Sequence, residues 1–127
     1  FRLITGRAPG HTFSRTQTNP LLHDLMPENE VWINADTAAR LGLKNREYVK
    51  LKNQDGVLSN RVRVKATQRI REDCFYMVYG FGHTNKMLTT AYLRGASAAG
   101  LNTHYATDPL MGATSIHTNF VAVVKES

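Results

Sequence analysis

The residues near the start of the chain have the chemistry of an anion-binding loop. Gly6 and Gly10 bracket Arg7 and are followed by His11, directly after a short apolar stretch. Glycine lets the backbone approach a ligand closely, exposed backbone amides can point at an anion, and arginine adds a planar, permanently charged donor. Residues 12–19 continue with mostly short hydrogen-bonding side chains. The pattern predicts a phosphate cradle, with a plain polar surface loop as the alternative.

Two later segments have related chemistry. The apolar run Cys74–Val78 is typical of a strand covered on both sides, and it leads into Gly80-Phe81-Gly82-His83. Residues 95–108 are rich in Gly, Ala, Ser, Thr and Asn without clear periodicity, which is typical of a functional loop or of disorder. If the ends of the strands that precede the first two loops lie together, a ligand meets two sets of backbone donors at once.

Several catalytic signatures are absent from the sequence. It contains no P-loop, no Gly-x-Gly-x-x-Gly, no His-Glu-x-x-His and no Cys-x-x-Cys pattern. The segment Gly95–Ala99 resembles a nucleophile elbow, but Ala99 stands where the sharp turn needs glycine, so Ser97 is not expected to be a nucleophile. The scattered histidines are more typical of single hydrogen-bond donors than of metal ligands. No catalytic residue and no metal ligand is predicted within this chain.

Composition limits the class of protein. The 127 residues are enough for one domain, and the net charge of +6, from 16 Lys+Arg against 10 Asp+Glu, favours an anionic partner without specifying which. A single cysteine, Cys74, excludes an internal disulfide and a cysteine-rich metal or iron–sulfur site, and it is expected to be inert. No apolar run is long enough to cross a bilayer. Because Phe1 already lies in an apolar run, we expect the chain to be a piece of a longer one.

Turn and capping residues divide the chain into short elements. Asn19-Pro20 predicts a short helix that ends before Pro27, Asn34 is expected to cap a second helix that ends at Gly42, and residues 88–94 are interpreted as a loose helix. Alternation of polar and apolar residues predicts strands at Tyr48–Lys52 and Arg61–Ala66, and continuous apolar runs predict strands at Leu3-Ile4, Cys74–Val78 and Phe120–Val124. Many short strands with two short helices indicate a mainly β fold, a closed β-barrel with inserted helices, over residues 1–127.

A row of basic residues supports a different function. Arg61, Arg63 and Lys65 alternate with apolar residues and therefore share one face of a strand. Such a row could bind RNA or a protein partner, which would make the chain an independent basic β-barrel. We expect a solvated outer face instead, because no aromatic residues interleave with these charges along the strand.

The ordered set of motifs resembles a known family. These motifs are Thr5-Gly6-Arg7 with His11, Arg15–Pro20, Pro27–Asn34, Asn53–Gly56, Gly80–His83 and Gly100–Asn102. In this order they resemble the C-terminal molybdopterin dinucleotide-binding domain of the dimethyl sulfoxide reductase superfamily, most of all in the thiosulfate and polysulfide reductase catalytic subunits. Tyr79 and Phe13 depart from the family pattern, since many relatives carry histidine in place of Tyr79 and nitrate reductase-type members often carry a second histidine in place of Phe13.

The resemblance implies a fold and a set of cofactor contacts. It implies a six-stranded double-psi β-barrel that holds a bis(molybdopterin guanine dinucleotide) cofactor with molybdenum or tungsten. Carried over by position, the cofactor-binding residues are Thr5, Gly6, Arg7, His11, Ser14 and Thr16 from the first loop, Gly82, His83 and Thr84 from the second, and Asn102 and Asp108 from the third. Arg7 is expected to bind an anionic group, the alternatives being a solvated turn residue or a partner for Asp24 or Glu28.

The resemblance also implies a larger enzyme. This domain would belong to a molybdenum oxidoreductase, a thiosulfate or polysulfide reductase of anaerobic respiration, or alternatively a formate dehydrogenase or nitrate reductase type enzyme. The fragment alone is not expected to catalyse a reaction, and isolated it is expected to be a monomer. Implied partners are the remaining domains of the catalytic subunit, an iron–sulfur electron-transfer subunit and a membrane anchor subunit, with an iron–sulfur cluster elsewhere, a periplasmic location and no nucleic acid.

Overall fold

A six-stranded sheet forms the body of the domain. The computed structural model describes residues 1–125, in which eight strands occur. The strands of the large sheet are β1 (Arg2–Gly6), β2 (Glu30–Asn34), β3 (Tyr48–Asn53), β4 (Val62–Thr67), β5 (Cys74–Val78) and β8 (Val121–Lys125). The five predicted strands are confirmed with boundaries that differ by one or two residues. A short separate hairpin consists of β6 (Ala106–Thr107) and β7 (Thr114–Ser115).

The large sheet curls so that its two edges meet. Its strand order is β1-β5-β2-β4-β3-β8, with β1/β5 and β2/β4 parallel and the other neighbours antiparallel. The edge strands β1 and β8 are joined by an antiparallel bridge between Arg2 and Phe120, beside which the amide of Val121 donates to the carbonyl of Phe1 at 2.7 Å. The predicted mainly β, barrel-like fold is therefore confirmed, with closure through one bridge instead of a full ladder.

The core lies inside the curl and follows strand alternation. Inward-facing side chains with 0% exposure come from strands β1 to β5, and β8 adds Val121 with 2% exposure; the completely buried ones are Leu3, Val31, Ile33, Val49, Leu51, Val62, Val64, Phe75 and Met77. Because successive side chains of a strand point to opposite faces, the intervening polar residues lie outside. The thiol of Cys74 is buried at the start of β5, and this burial raises its pKa, as does the neighbouring Asp73. The prediction of an inert cysteine agrees with that environment.

Both helices form where capping residues predicted them. In α1 (Pro20–Leu25), Oδ1 of Asn19 accepts hydrogen bonds from the amides of Leu21 and Leu22 at 3.0 and 3.4 Å. In α2 (Ala35–Arg40), Oδ1 of Asn34 accepts from the amide of Asp36 at 2.9 Å, and Gly42 follows in the left-handed conformation. The apolar side of α1 is not packed, since Leu21 and Leu25 are each 76% exposed. None of the helices in the described part of the chain has the length and apolarity needed to span a bilayer.

The prediction of a helix over residues 88–94 is wrong. That segment forms a series of turns with one bond of helical spacing, from the amide of Tyr92 to the carbonyl of Leu88. The next amide, of Leu93, donates instead to the carbonyl of His83 at 2.8 Å, and Leu93 has a φ of 53°. Pairing with the loop after β5 therefore replaces continuation of the helix, a tertiary preference that local propensity does not contain.

Residues 95–108 are held in place by buried asparagines. The segment includes a 3₁₀ turn at Ala99–Leu101. Nδ2 of Asn53 donates to the carbonyl of Leu101 at 3.1 Å, and Oδ1 of Asn119 accepts from the amides of Thr103 and His104 at 3.1 and 3.0 Å. The composition of this segment left a functional loop or disorder open, and the structure shows an ordered loop. It is ordered because side-chain amides satisfy backbone groups that lack a strand partner.

Asn29 joins this segment to the end of β5. Its side chain is completely buried, and Nδ2 donates to the carbonyls of Val78 and Ala96 at 2.8 and 2.9 Å. Oδ1 accepts from the amide of Ala96 at 2.9 Å. Gly95 must lack a side chain here, since a Cβ atom would lie 2.1 Å from Oδ1 of Asn29. One amide group thus uses both donor hydrogens and its oxygen to link two loops.

The outer face of β3 and β4 differs from its prediction in one respect. It carries the predicted basic row, but aromatic residues from neighbouring strands do lie among the charges: Arg61 stands over the ring of Tyr48 at 4.8 Å and Lys65 over Trp32 at 4.5 Å. Alternation along one strand could not reveal contacts between strands. On the same face, Arg63 and Tyr48 both donate hydrogen bonds to the carboxylate of Glu28.

We expect Asn29→Asp to destabilise the domain strongly. The aspartate cannot donate to the carbonyls of Val78 and Ala96, and a buried unpaired carboxylate is costly, so the free energy of unfolding should fall by about 2–4 kcal/mol. Urea unfolding measures the change. The matched control is Asn45→Asp, because exposed Asn45 only accepts a hydrogen bond, from the amide of Ala66, and aspartate retains that role. A loss at position 29 no larger than at position 45 would contradict the anchoring role.

A second prediction concerns pH. Burial opposes ionisation of Glu28, but the hydrogen bonds from Arg63 and Tyr48 and the charges of Arg63 and Arg61 outweigh it and lower its pKa. The stabilisation is therefore present above the unfolded pKa of about 4.3 and is lost as pH falls through the lower folded pKa. Glu28→Gln should lower stability at neutral pH by about 1–2 kcal/mol, between an exposed and a buried pair.

Thermal unfolding of both proteins across acidic pH tests this expectation. The difference between wild type and Glu28→Gln should shrink on acidification, because the native carboxylate is then protonated too. Glu72→Gln serves as the control, since Glu72 pairs with Arg40 at the surface, where both side chains are more than half exposed. That substitution should change stability by less than about 1 kcal/mol. A constant difference at all pH values would exclude ionisation of Glu28 as the cause.

Candidate functional site

The first and second loops leave the sheet side by side. Strands β1 and β5 are parallel neighbours in register, with Gly6 opposite Val78 at their ends. The amide of Tyr79 then donates to the carbonyl of Gly6 at 3.0 Å. The loop after β1 and the loop after β5 therefore begin at the same edge, as the sequence predicted for the ends of two buried strands.

Glycines bring the loops into direct contact. Gly80 has a φ of 92°, and a Cβ atom there would lie 2.1 Å from the carbonyl oxygen of Phe13 in the first loop. Gly82 has a φ of 78°, and its Cβ would lie 2.2 Å from the amide nitrogen of Ser97 in the third. Glycine at these two positions therefore allows the backbones of neighbouring loops to lie in contact. At Gly6, the position of a Cβ is occupied by the ring of Tyr76, whose hydroxyl oxygen would be 2.7 Å away.

The three loops enclose a cleft of about 450 Å³. The first loop contributes Phe13 and Ser14, the second Tyr79 to Asn85, and the third Ser97 and Ala99. A volume of this size lies in the usual range for ligand sites, which is about 300–1,000 Å³. The three glycine-containing and polar segments therefore converge on one concave surface.

The cleft presents hydrogen-bonding groups that the protein does not use. The backbone amides of Ser14, Thr84 and Asn85 donate to no group among residues 1–125, and Nε2 of His83 is buried there without a partner. A buried polar atom without a partner is costly unless water or a ligand satisfies it, and Nε2 of His83 is such an atom. Backbone amides beside hydroxyl groups suit the phosphate oxygens and ring heteroatoms of a pterin dinucleotide, so the residues fit such a group.

Four of the predicted residues line this cleft, and Arg7 contacts the ring of another lining residue, Phe13. The four are Ser14, Gly82, His83 and Thr84. The guanidinium of Arg7 stands over the ring of Phe13, 4.7 Å from its centre, and is exposed. Within residues 1–125 no carboxylate lies within ion-pair distance of Arg7, so pairing with Asp24 or Glu28 is not observed. Arg7 thus remains available to an anion beside Phe13.

His11 and Thr16 have internal partners instead. His11 is 7% exposed, and its Nε2 and Nδ1 lie 2.9 Å from the carbonyl of Met26 and 3.0 Å from the hydroxyl of Thr16. Since a carbonyl only accepts, Nε2 carries the proton. The Thr16 hydroxyl accepts from the amide of Thr12 and donates to Nδ1. These residues brace the first loop, and no free ring nitrogen of His11 faces the cleft.

Thr5, Asn102 and Asp108 also lie away from the cleft lining. Thr5 is buried in β1, where Nε2 of His117 lies 3.1 Å from its carbonyl oxygen. The side-chain oxygen of Asn102 accepts from Nδ2 of Asn119 at 3.3 Å. The carboxylate of Asp108 accepts from the amide of Met111 at 2.8 Å and so closes the turn between β6 and β7. The structure therefore brings only some of the predicted cofactor-binding residues together at the cleft.

The third loop is tied to the turn after β3 by a carboxylate. The hydroxyl of Thr103 donates to Asp55, and Nε2 of His104 lies 3.0 Å from the same carboxylate. These two hydrogen bonds, that of Thr103 first, lower the pKa of Asp55. The carboxylate therefore stays ionised over a wider acidic range, and it orients the loop without taking part in the cleft.

Sequence reasoning missed several residues of the site. Phe13, Tyr79, Asn85 and Ser97 line the cleft, and Asn29 fixes the loops around it from the far side. The rings of Phe13 and Tyr79, the two departures from the family pattern, pack against each other at 5.9 Å. A buried asparagine leaves no periodic signal, since its partners are 49 and 67 residues away. No group of His, Cys, Asp and Glu within residues 1–125 could hold a metal ion.

Comparisons with known proteins agree with this geometry. Residues 1–120 match the family model described as the Molydopterin dinucleotide binding domain. The chain is 35% identical over 115 residues to the thiosulfate reductase molybdopterin-containing subunit PhsA of Salmonella typhimurium, an alignment that covers 91% of this chain and 15% of that subunit.

A solved structure has the same fold. Acetylene hydratase from Pelobacter acetylenicus superposes with a TM-score of 0.74 at 16% identity, covering 98% of this chain and 18% of that one. This chain thus spans less than a fifth of the length of each of these two proteins. With the family model matched over residues 1–120 and a relative at 35% identity, the chain belongs to the molybdopterin dinucleotide-binding domain family.

Proposed function

We propose that this domain holds a bis(molybdopterin guanine dinucleotide) cofactor within a thiosulfate or polysulfide reductase. The observation that carries the proposal is the cleft of three joined loops with unused amides at Ser14, Thr84 and Asn85. Membership of the family supports a molybdopterin cofactor, and the reductase relative supports the choice of substrate class. The guanine form of the dinucleotide is part of the proposal.

The residues of the domain would bind and orient this cofactor. Ser14 and Thr84 offer hydroxyls and amides, His83 offers a ring nitrogen, and Arg7 offers a charged donor beside Phe13. When bound, the cofactor supplies two-electron redox chemistry at molybdenum or tungsten, which none of these side chains can perform. The domain would contribute position, charge and exclusion of water.

The remaining parts of the proposal concern the whole enzyme. We propose that the other domains of the catalytic subunit cover the cleft, that an iron–sulfur subunit and a membrane anchor complete a periplasmic complex, and that the isolated domain is monomeric. Formate dehydrogenase or nitrate reductase type enzymes are the alternative parents. Purifying the complete enzyme and assaying thiosulfate, polysulfide, formate and nitrate decides among them, and cell fractionation tests the location.

Arg7→Ala should lower cofactor retention. A charged hydrogen bond contributes roughly 1.5–3 kcal/mol, so affinity should fall about 10- to 100-fold. Arg7→Lys should restore only part of it, because lysine lacks the planar fork. Metal and pterin content of the complete enzyme measures retention, and the melting temperature of the domain should change little. The control is Arg15→Ala, an exposed arginine of the same loop outside the cleft lining. Normal loading of Arg7→Ala would exclude the assigned role.

Gly80→Ala tests whether contact between the loops shapes the site. Its Cβ would meet the carbonyl of Phe13, so the first two loops must separate, and the φ of 92° adds strain. We expect reduced cofactor content together with destabilisation of about 1–3 kcal/mol. Gly10→Ala is the matched control, because no atom lies within 4 Å of a Cβ at Gly10. Equal cofactor content in the two variants would show that the contact at Gly80 does not matter for binding.

A further inference from the structure

The outer face of β3 and β4 is strongly basic. Strand alternation places on it Lys50, Lys52, Arg61, Arg63 and Lys65. Two carboxylates lie beside them, Glu28 in contact with Arg63 and Glu30 at 3.8 Å from Lys65. Leaving out Lys50, which has a further interaction, four cations face two carboxylates among residues 1–125, so the face is positive, and no strand or helix of this part of the chain pairs over it. Its Arg61 end adjoins the second loop, where Nδ2 of Asn60 donates to the carbonyl of Gly82 at 3.5 Å, but none of its five cations lines the loop cleft.

Several of the cations are held in fixed positions by aromatic rings. Arg61 and Arg63 stand over Tyr48 at 4.8 and 5.7 Å, and Lys65 stands over Trp32 at 4.5 Å. Cation–π contacts orient long side chains that otherwise lose entropy on binding. Tyrosine, tryptophan and arginine are also the residues most enriched at the centres of protein interfaces.

The free charge lies at one side of this face. Arg61 and Lys52 are exposed and have no carboxylate within ion-pair distance among residues 1–125. Arg61 also lines a cleft of about 350 Å³ with Ser59, Asn60 and Leu93. A carboxylate entering there would meet the guanidinium of Arg61, which can bind both of its oxygens, whereas the hydroxyl of Ser59 already donates to the carbonyl of Asn60.

The arrangement suits a protein better than a nucleic acid. Lys65 covers one face of Trp32, whose ring also meets Tyr76 edge to face, and two arginines stand over Tyr48, so bases have no open rings on which to stack. The carboxylates of Glu28 and Glu30 lie among the cations and would repel a phosphate backbone. Mixed charges with an excess of one sign are complementary to an acidic protein surface.

We propose that the outer face of β3 and β4 is a docking surface for an acidic protein surface. Arg61 and Lys52 provide its unpaired charges, and Tyr48 and Trp32 fix the neighbouring cations. The proposal does not depend on the cofactor site.

Zero-length crosslinking of the complete enzyme with a carbodiimide tests the proposal. The reagent joins lysine amines to carboxylates in contact, and peptide mass spectrometry identifies the pairs. We expect Lys52 and Lys65 to crosslink to aspartates or glutamates outside residues 1–127, in addition to the internal pair Lys65–Glu30. Lys44, exposed elsewhere, is the control lysine.

A charge reversal sharpens the test. Arg61→Glu should lower the yield of the external crosslinks about tenfold, because a repulsive charge replaces an attractive one in the contact. Arg69→Glu makes the same charge change in an exposed turn and should leave the yield unchanged. Cofactor content of both variants should be normal, which separates this result from any failure of the cofactor assignment.

Three outcomes overturn the proposal. The first is crosslinking of Lys52 and Lys65 confined to carboxylates within residues 1–127. The second is an external yield that is the same from Lys44 or unaffected by Arg61→Glu. The third is nucleic acid bound to the purified enzyme that protects these lysines from the reagent until nuclease removes it.

Discussion

The buried amide of Asn29 is the interaction on which the arrangement of the loops depends. A strand normally satisfies its end by pairing with another strand, but the carbonyl of Val78 and both backbone groups of Ala96 meet a side chain instead. The amide donates and accepts at once in a completely buried position, where an unsatisfied group is most costly. These hydrogen bonds therefore fix the third loop relative to β5. Because this loop forms one wall of the cleft, they also fix the shape of the cleft.

The sheet and the loops contribute different properties. The curled sheet provides an apolar core and brings the ends of β1 and β5 to one edge. The loops provide exposed donors, but their mutual positions come from close backbone contacts that only glycine permits, at Gly80 against Phe13 and at Gly82 against Ser97. Gly95 gives Asn29 room in the same way. A side chain at any of these three positions would collide with a neighbouring segment, so the cleft requires glycine at each of them.

Local patterns in the sequence predicted most elements of the fold. Caps at Asn19 and Asn34, alternation in β3 and β4 and the apolar run of β5 depend on neighbouring residues, and the structure contains each of these elements. The turns over residues 88–94 depend on the distant carbonyl of His83, which no local pattern contains. Distant contacts also decide which predicted site residues reach the cleft. His83 and Thr84 line it, whereas the ring of His11 is hydrogen-bonded to the carbonyl of Met26, fifteen positions away.

The cleft and the outer face of β3 and β4 differ in their sensitivity to ionic strength, because neutral amides organise the cleft and charged side chains cover the outer face. The cleft is organised mainly by the side chains of Asn29, Asn53 and Asn119, whose hydrogen bonds carry no net charge and are therefore little affected by salt. The exposed cations of the outer face are screened by the same ions. A rise in salt concentration would consequently loosen contacts made by that face and leave the shape of the cleft intact.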